Sequence, residues 1–101
     1  MHGPKLAKIA NRKFNSWLKK KRVRVLGREF ERSVQSGGWP DFIVQNKTGQ
    51  LEFYEVKSGN HRIDPHQLEI LKIVKKLGKV HIMRLDKSMK KFVDETPKEL
   101  K

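Results

Sequence analysis

The chain has no cysteine, so disulfides and thiolate metal sites are excluded from the start. It is short of acid: 11 Asp and Glu stand against 24 Lys and Arg, a formal net charge of +13. Residues 1–28 hold ten Lys or Arg and not one Asp or Glu. No apolar run approaches the roughly 18 residues that a membrane-spanning helix requires. No uninterrupted apolar stretch near the N-terminus reads as a signal peptide, so an intracellular protein is expected. Internal repeats and linker-like segments are absent as well. What remains is a 101-residue chain, 36% hydrophobic and 35% charged. That balance fits one small folded domain and not a disordered chain. A charge of +13 favours a polyanionic partner, of which nucleic acid is the commonest. The plainer alternative is that lysine merely solubilises the surface. A membrane-surface role has less support, since nothing resembles an anchor.

Hydrophobic periodicity places the elements. Leu6, Ile9, Ala10, Phe14, Trp17 and Leu18 follow the i, i+3, i+4, i+7 spacing of an amphipathic helix over residues 5–20, with Pro4 in its first turn. Arg22 to Val25 alternate as a half-buried strand, and Gly27 interrupts them. Residues 28–35 alternate again, ahead of a break at Gly37-Gly38. Asp41 to Val44 and Leu51 to Lys57 read as a hairpin around the turn Asn46-Lys47-Thr48-Gly49. Asp64-Pro65-His66-Gln67 is a strong helix start, with an N-cap, a proline at the first position and a capping-box Gln. The helix is expected to run to Leu77 and stop at Gly78. Lys79 to Leu85 is a last core strand. Phe92-Val93 can dock beyond it, and the tail 94–101 is expected to be flexible. One α/β domain spans 1–101, with its core about 5–93.

Chemistry concentrates in the hairpin. Residues two apart in a strand share a face, so Glu55 and Lys57 stand side by side while Val56 points the other way. The hairpin brings Asp41 alongside them. Two carboxylates supply hard oxygen ligands for Mg²⁺, and a bound metal lowers the pKa of its water and offsets charge in phosphodiester hydrolysis. A neighbouring lysine orients that water or stabilises developing negative charge. Taken singly, the fragments are weak. A same-face Glu–Lys pair is often only a surface ion pair, and Pro-Asp is often only turn chemistry.

Gly38-Trp39-Pro40-Asp41-Phe42-Ile43 followed by Tyr54-Glu55-Val56-Lys57-Ser58-Gly59 closely resembles the PD-(D/E)xK nuclease signature. The likeness covers about residues 38–85. The domain size and Gln67 resemble the virus-type replication-repair nucleases and the archaeal Holliday-junction resolvases. The resemblance implies a restriction-endonuclease-like α/β fold, a small mixed central β-sheet flanked by helices. It implies Asp41 and Glu55 as metal ligands for Mg²⁺ (Mn²⁺ substituting), the Val56 carbonyl as a further ligand, and Lys57 as the catalytic lysine. It also implies structure-directed DNA cleavage, a homodimer, no small-molecule cofactor, and a cytoplasmic protein of prokaryotic or viral origin. Many relatives carry another acid on the first helix, and residues 5–20 have none. Glu29 is the candidate replacement, with Glu31 behind it. The alternative is that both pair with Arg28, Arg32 or a nearby Lys, which makes a two-metal site doubtful.

Other residues stay double-edged. Gln67 either points into the site or only completes the helix cap. His61 and His66 share no helix or strand face, so a loop or phosphate-contact role suits them better than a metal. Trp39 can stack on a base, though packing over the turn is the more ordinary role. Phosphate contacts are expected from Lys5, Lys8, Arg12, Lys19, Lys20, Arg22, Arg24, Ser58, His61 and Arg62. Two further functions remain open: a non-catalytic basic nucleic-acid-binding protein, and an RNA endonuclease with a metal-free site.

Overall fold

Parallel strands need a crossover, and the helix between residues 57 and 79 supplies the only one in the sheet. The computed structural model describes residues 4–21, 24–28, 39–60, 62–86, 88 and 90–101. Its elements run α1 (Pro4–Lys20), β1 (Arg24–Arg28), β2 (Phe42–Gln45), β3 (Leu51–Lys57), α2 (Pro65–Val74), β4 (Lys79–Leu85), β5 (Phe92–Asp94) and a short 3₁₀ turn at Lys98–Leu100. The strands form one mixed sheet in the order β1-β2-β3-β4-β5. Only β3 and β4 are parallel; the other neighbours are antiparallel. The protein is therefore a mixed α/β fold with a five-stranded sheet and two helices.

The two faces of the sheet carry separate apolar layers. On one, α1 sets Ala10, Phe14 and Leu18 against Phe42, Val44, Tyr54, Val56, Met83 and Leu85. Phe14 is the hub, with Phe42, Tyr54 and Phe92 all about 5 Å from its ring centroid to centroid. On the other, Leu71 and Val74 of α2 meet Phe53, Val80, Ile82 and Leu100. The period-two alternation along β3 produces this division: Phe53 faces α2, while Tyr54 and Val56 face α1.

The expected β2–β3 hairpin is present in the expected register, with Phe42 opposite Tyr54 and Gln45 opposite Leu51. Its turn is closed by Asn46, whose Oδ1 accepts from Thr48 N, Thr48 Oγ1 and Gln50 N at 2.7–3.0 Å. Gly49 supplies the positive φ of 88° that this turn demands. The expected strand is present from Arg24, Arg22 and Val23 lying outside the described residues, and it continues through Gly27. A register shift between Val25 and Gly27 makes a bulge there, which leaves Leu26 outside the ladder and exposed. The strand expected over 28–35 falls, beyond Arg28, outside the described residues.

Two boundaries differ from expectation. α2 ends at Val74, and the chain reaches Gly78 through a tighter turn with Lys76 N–H donating to Ile73 O and Leu77 N–H to Val74 O. Gly78 is not a positive-φ cap. A Cβ at Gly78 would collide with the Leu51 carbonyl, so close approach of this turn to β3 demands glycine. The tail is also built into the fold. Glu95 N–H donates to Ile82 O, Thr96 Oγ1 accepts from Ile82 N, and Leu100 is 2% exposed in the α2 layer. The physical reason is that α2 and β4 alone leave that layer uncovered at its end, and Leu100 fills it. Leu100→Ala is therefore expected to destabilise the protein by about 2–4 kcal/mol, the usual cost of emptying a buried leucine site. Urea denaturation monitored by tryptophan fluorescence checks this, and a loss under about 0.5 kcal/mol would mean that the tail is not part of the core.

Candidate active site

Asp41 lies one residue before β2 begins, and the register puts it beside the end of β3. Its Oδ2 accepts the Val56 N–H at 2.8 Å. Pro40, fully buried, fixes the chain just upstream. Glu55 and Lys57 share the α2 face of β3, and Lys57 Nζ lies 3.2 Å from Glu55 Oε2. This is no surface ion pair: the two side chains are 14% and 7% exposed. Gln67 reaches over from the first turn of α2, and its Nε2 donates to Glu55 Oε2 at 2.5 Å.

The N-cap explains how Gln67 is free to do this. Asp64 Oδ1 accepts the backbone N–H of Gln67 at 2.8 Å, so the main chain satisfies the cap. The Gln67 side chain does not complete a capping box and turns inward to Glu55 instead. The helix cap thus uses the Gln67 backbone alone, and the side chain belongs to the carboxylate cluster.

The electrostatics of the cluster are unusual for a small basic protein. Burial raises the Asp41 carboxyl well above the usual carboxylate range, and the neighbouring Glu55 charge raises it further. The Val56 N–H and the Lys57 ammonium oppose this without reversing it. Glu55 is also raised, chiefly by burial, against the pull of Lys57 and Gln67. Two buried oxygens, Glu55 Oε1 and Gln67 Oε1, have no hydrogen-bond partner. A side-chain hydrogen bond between Asp41 and Glu55 adds to the rise at Asp41 and works against it at Glu55.

Supporting contacts come from β4. Arg84 stands opposite Lys57 in the parallel register. Its Nη1 donates to Gly59 O at 2.8 Å and its Nε to Glu95 Oε2 at 2.6 Å. It ties the loop that follows Lys57 to the body of the sheet, a role the sequence did not suggest.

The other expected site residues are dispersed. Ser58 is buried at 3% exposure, so its hydroxyl does not meet a strand at the surface, contrary to expectation. Arg62 and His66 are exposed near the start of α2. Trp39 is 47% exposed. Lys8, Arg12, Lys19 and Lys20 are exposed on α1, and Arg24 on β1. α1 covers the opposite face of the sheet from Glu55, Lys57 and Gln67, so its outer basic face is not part of the carboxylate cluster. Glu29, Glu31, Arg22, His61 and the side chain of Lys5 lie outside the described residues.

Asp41 and Glu55 could each offer a carboxylate oxygen to a divalent cation. The main chain of Val56 is held beside Asp41 through its N–H. Among the described residues, no group of three or more His, Asp or Glu side chains gathers as a metal site. No protein-family model matches the chain, and none of the curated proteins matches it.

The raised acids dictate a pH dependence. A carboxyl whose folded pKa lies above its unfolded value stabilises the fold fully at low pH and loses that contribution as pH rises through the folded pKa. The window opens at about pH 4, the ordinary carboxylate value, and extends upward. Asp41→Asn keeps an acceptor for Val56 N–H and removes the charge. In chelator, the stability of the native protein is expected to fall with rising pH more steeply than that of Asp41→Asn, which should be the more stable at neutral pH. Urea midpoints measured from about pH 4 to 8 decide this, and parallel curves would contradict the assignment.

Proposed function

We propose that this protein is a divalent-metal-dependent endonuclease of the PD-(D/E)xK type, on a restriction-endonuclease-like fold, that hydrolyses phosphodiester bonds in branched or otherwise structured DNA. The observation that carries the reading is the convergence of Asp41, Glu55, Lys57 and Gln67 at one buried spot. A merely structural ion pair does not call for a second buried carboxyl that raises its neighbour's pKa. Strained, perturbed acids of this kind cluster at functional sites.

The residues fit a hard cation. Asp41 and Glu55 are oxygen donors, Glu55 Oε1 is buried and unpartnered, and the Glu55 charge disfavours ionised Asp41, a penalty that a bound cation would offset. Mg²⁺ or Mn²⁺, when bound, supplies a water of lowered pKa and offsets charge on the phosphate. The chain's own groups do the rest. Val56 N–H sets the direction of Asp41. Gln67 holds Glu55 through Oε2 and leaves Oε1 for other work. The Lys57 ammonium, 3.2 Å from Glu55 Oε2, would orient the attacking water or meet the negative charge that develops on the phosphate. Arg84 steadies the loop behind Lys57 through Gly59.

The surrounding +13 charge draws in the polyanion and the acid pair alone would repel it, so binding and chemistry are separable. A junction substrate needs two coordinated cuts, and a homodimer presents two centres by symmetry. Ile73 and Leu77, exposed at the end of α2, are apolar surface that such pairing can use. Among the described residues no helix is long and apolar enough to cross a membrane.

The test is cleavage of duplex, single-stranded, flap and four-way-junction DNA with and without Mg²⁺. Cleavage is expected in Mg²⁺ and none in chelator. Asp41→Ala, Glu55→Ala and Lys57→Ala should each lower turnover on the order of 10²-fold or more while substrate binding persists. Gln67→Ala should cost less, since it acts through Glu55. Cleavage undiminished in chelator, or alanine variants as active as the native protein, would sink the reading.

A further inference from the structure

A second concave site lies on the other side of the sheet. It is a groove of about 550 Å³ between α1 and the β4–β5 connection. Lys13, Lys20, Lys90 and Lys91 stand around it, with Trp17 and Phe92 at its base, and among the described residues no Asp or Glu lines it. We propose that this groove binds a single-stranded segment of nucleic acid, with the lysines on its phosphates and the sugars and bases against the aromatic floor.

The floor is rigid. Trp17 stacks on Phe14 with centroids 4.9 Å apart, and Lys21 Nζ covers its ring 3.9 Å from the centroid. Phe92 meets Phe14 edge-on and is half-buried. Trp17 therefore offers an edge fixed in place. A preformed apolar floor below a cationic rim suits a chain that alternates charged phosphate with flat base. The rim is also preordered. The Asp86 carboxylate accepts the backbone N–H groups of Lys90 and Lys91 at 3.2 Å and Ser88 Oγ at 2.7 Å, which holds the turn bearing both lysines. Asp86 N–H in turn donates to Lys91 O.

Position favours a nucleic acid over an anionic membrane. A membrane site presents apolar side chains outward, and here they are recessed beneath the lysines. The groove also opens at the same end of the sheet as the carboxylates. Lys57 pairs with Arg84, Arg84 with Val93, and Leu85 with Phe92. Two strand spacings, about 10 Å, separate Lys57 from β5, roughly three nucleotides at the stacked rise. A strand leaving the carboxylate cluster around the end of the sheet would enter the groove. The ligand class rests in part on the proposed nuclease reading; the groove itself does not use Asp41, Glu55 or Lys57.

The experiment measures binding of a fluorescein-labelled single-stranded oligonucleotide to the full chain in chelator, by anisotropy at several salt concentrations. K13Q/K90Q/K91Q removes three exposed rim charges. K75Q/K79Q/K101Q removes three exposed charges near the opposite end of β4. The groove variant is expected to weaken binding at least about tenfold at 0.1 M salt. It should make the log–log salt slope shallower by about 2, from roughly 0.7 per single-strand phosphate, and the control should change both much less. In W39F, where Trp17 is the sole tryptophan, fluorescence should change on adding the oligonucleotide. Equal losses in both triple variants would reduce the effect to net charge and overturn the proposal. So would groove-dependent binding to phosphatidylserine vesicles with oligonucleotide binding intact. Because no cleavage is scored, a failed groove leaves the carboxylate centre standing, and an inactive centre leaves the groove standing.

Discussion

Burying two carboxyl groups side by side is costly, because each loses hydration and the charge of Glu55 opposes the ionisation of Asp41. The arrangement of this protein turns on that pair. Asp41 directly precedes β2 and Glu55 lies on the adjacent antiparallel β3, so the hairpin register holds them side by side. Lys57, Gln67 and the Val56 N–H each oppose the penalty, yet both acids stay raised. A chain selected only for stability would gain by replacing one acid with an apolar or amide side chain. Keeping both makes sense if a cation belongs between them.

The rest of the fold holds that pair in place. α2 starts with an N-cap that spends the backbone of Gln67 and frees its side chain for Glu55. β4 runs parallel to β3, so its Arg84 arrives beside Lys57 and secures the following loop. The site therefore stands on strands and a helix end and not on a free loop, which favours precise geometry. Around a locally acidic centre the chain is strongly basic. For a phosphate-bearing ligand, long-range attraction and short-range repulsion would coexist, and under the proposed function a cation at the centre would reconcile them.

Much of this was readable in the residues. The hairpin followed from two strand-like runs around Asn46 to Gly49, and its register followed from the length of that turn. The grouping of Asp41, Glu55 and Lys57 followed from the period of two along β3. The start of α2 was written in Asp64-Pro65. Less visible were features that depend on contacts distant in sequence. Nothing local in Gly78 shows that Leu51 presses against it. Leu100 sits in a polar tail, and only the gap beneath α2 makes it core. Lys13, Lys90 and Lys91 look like any surface lysine until α1 and the β4–β5 turn bring them together. His81 gave no sign that its ring would stack on Tyr54 at 4.7 Å and pair with Glu52 at 2.7 Å, a polar cluster on the α1 side of the sheet. The burial of Ser58, just past the end of β3, is likewise not visible in the sequence.

If the acid pair holds a proton until a cation takes its place, cation binding must release protons. Calorimetric titration of Mg²⁺ into the native protein, repeated in buffers of different ionisation enthalpy, measures that release directly. The account predicts saturable binding with proton release that is larger near about pH 6 than near about pH 8, and loss of both in Glu55→Gln. Binding that releases no proton at either pH, or that persists unchanged in Glu55→Gln, would contradict it.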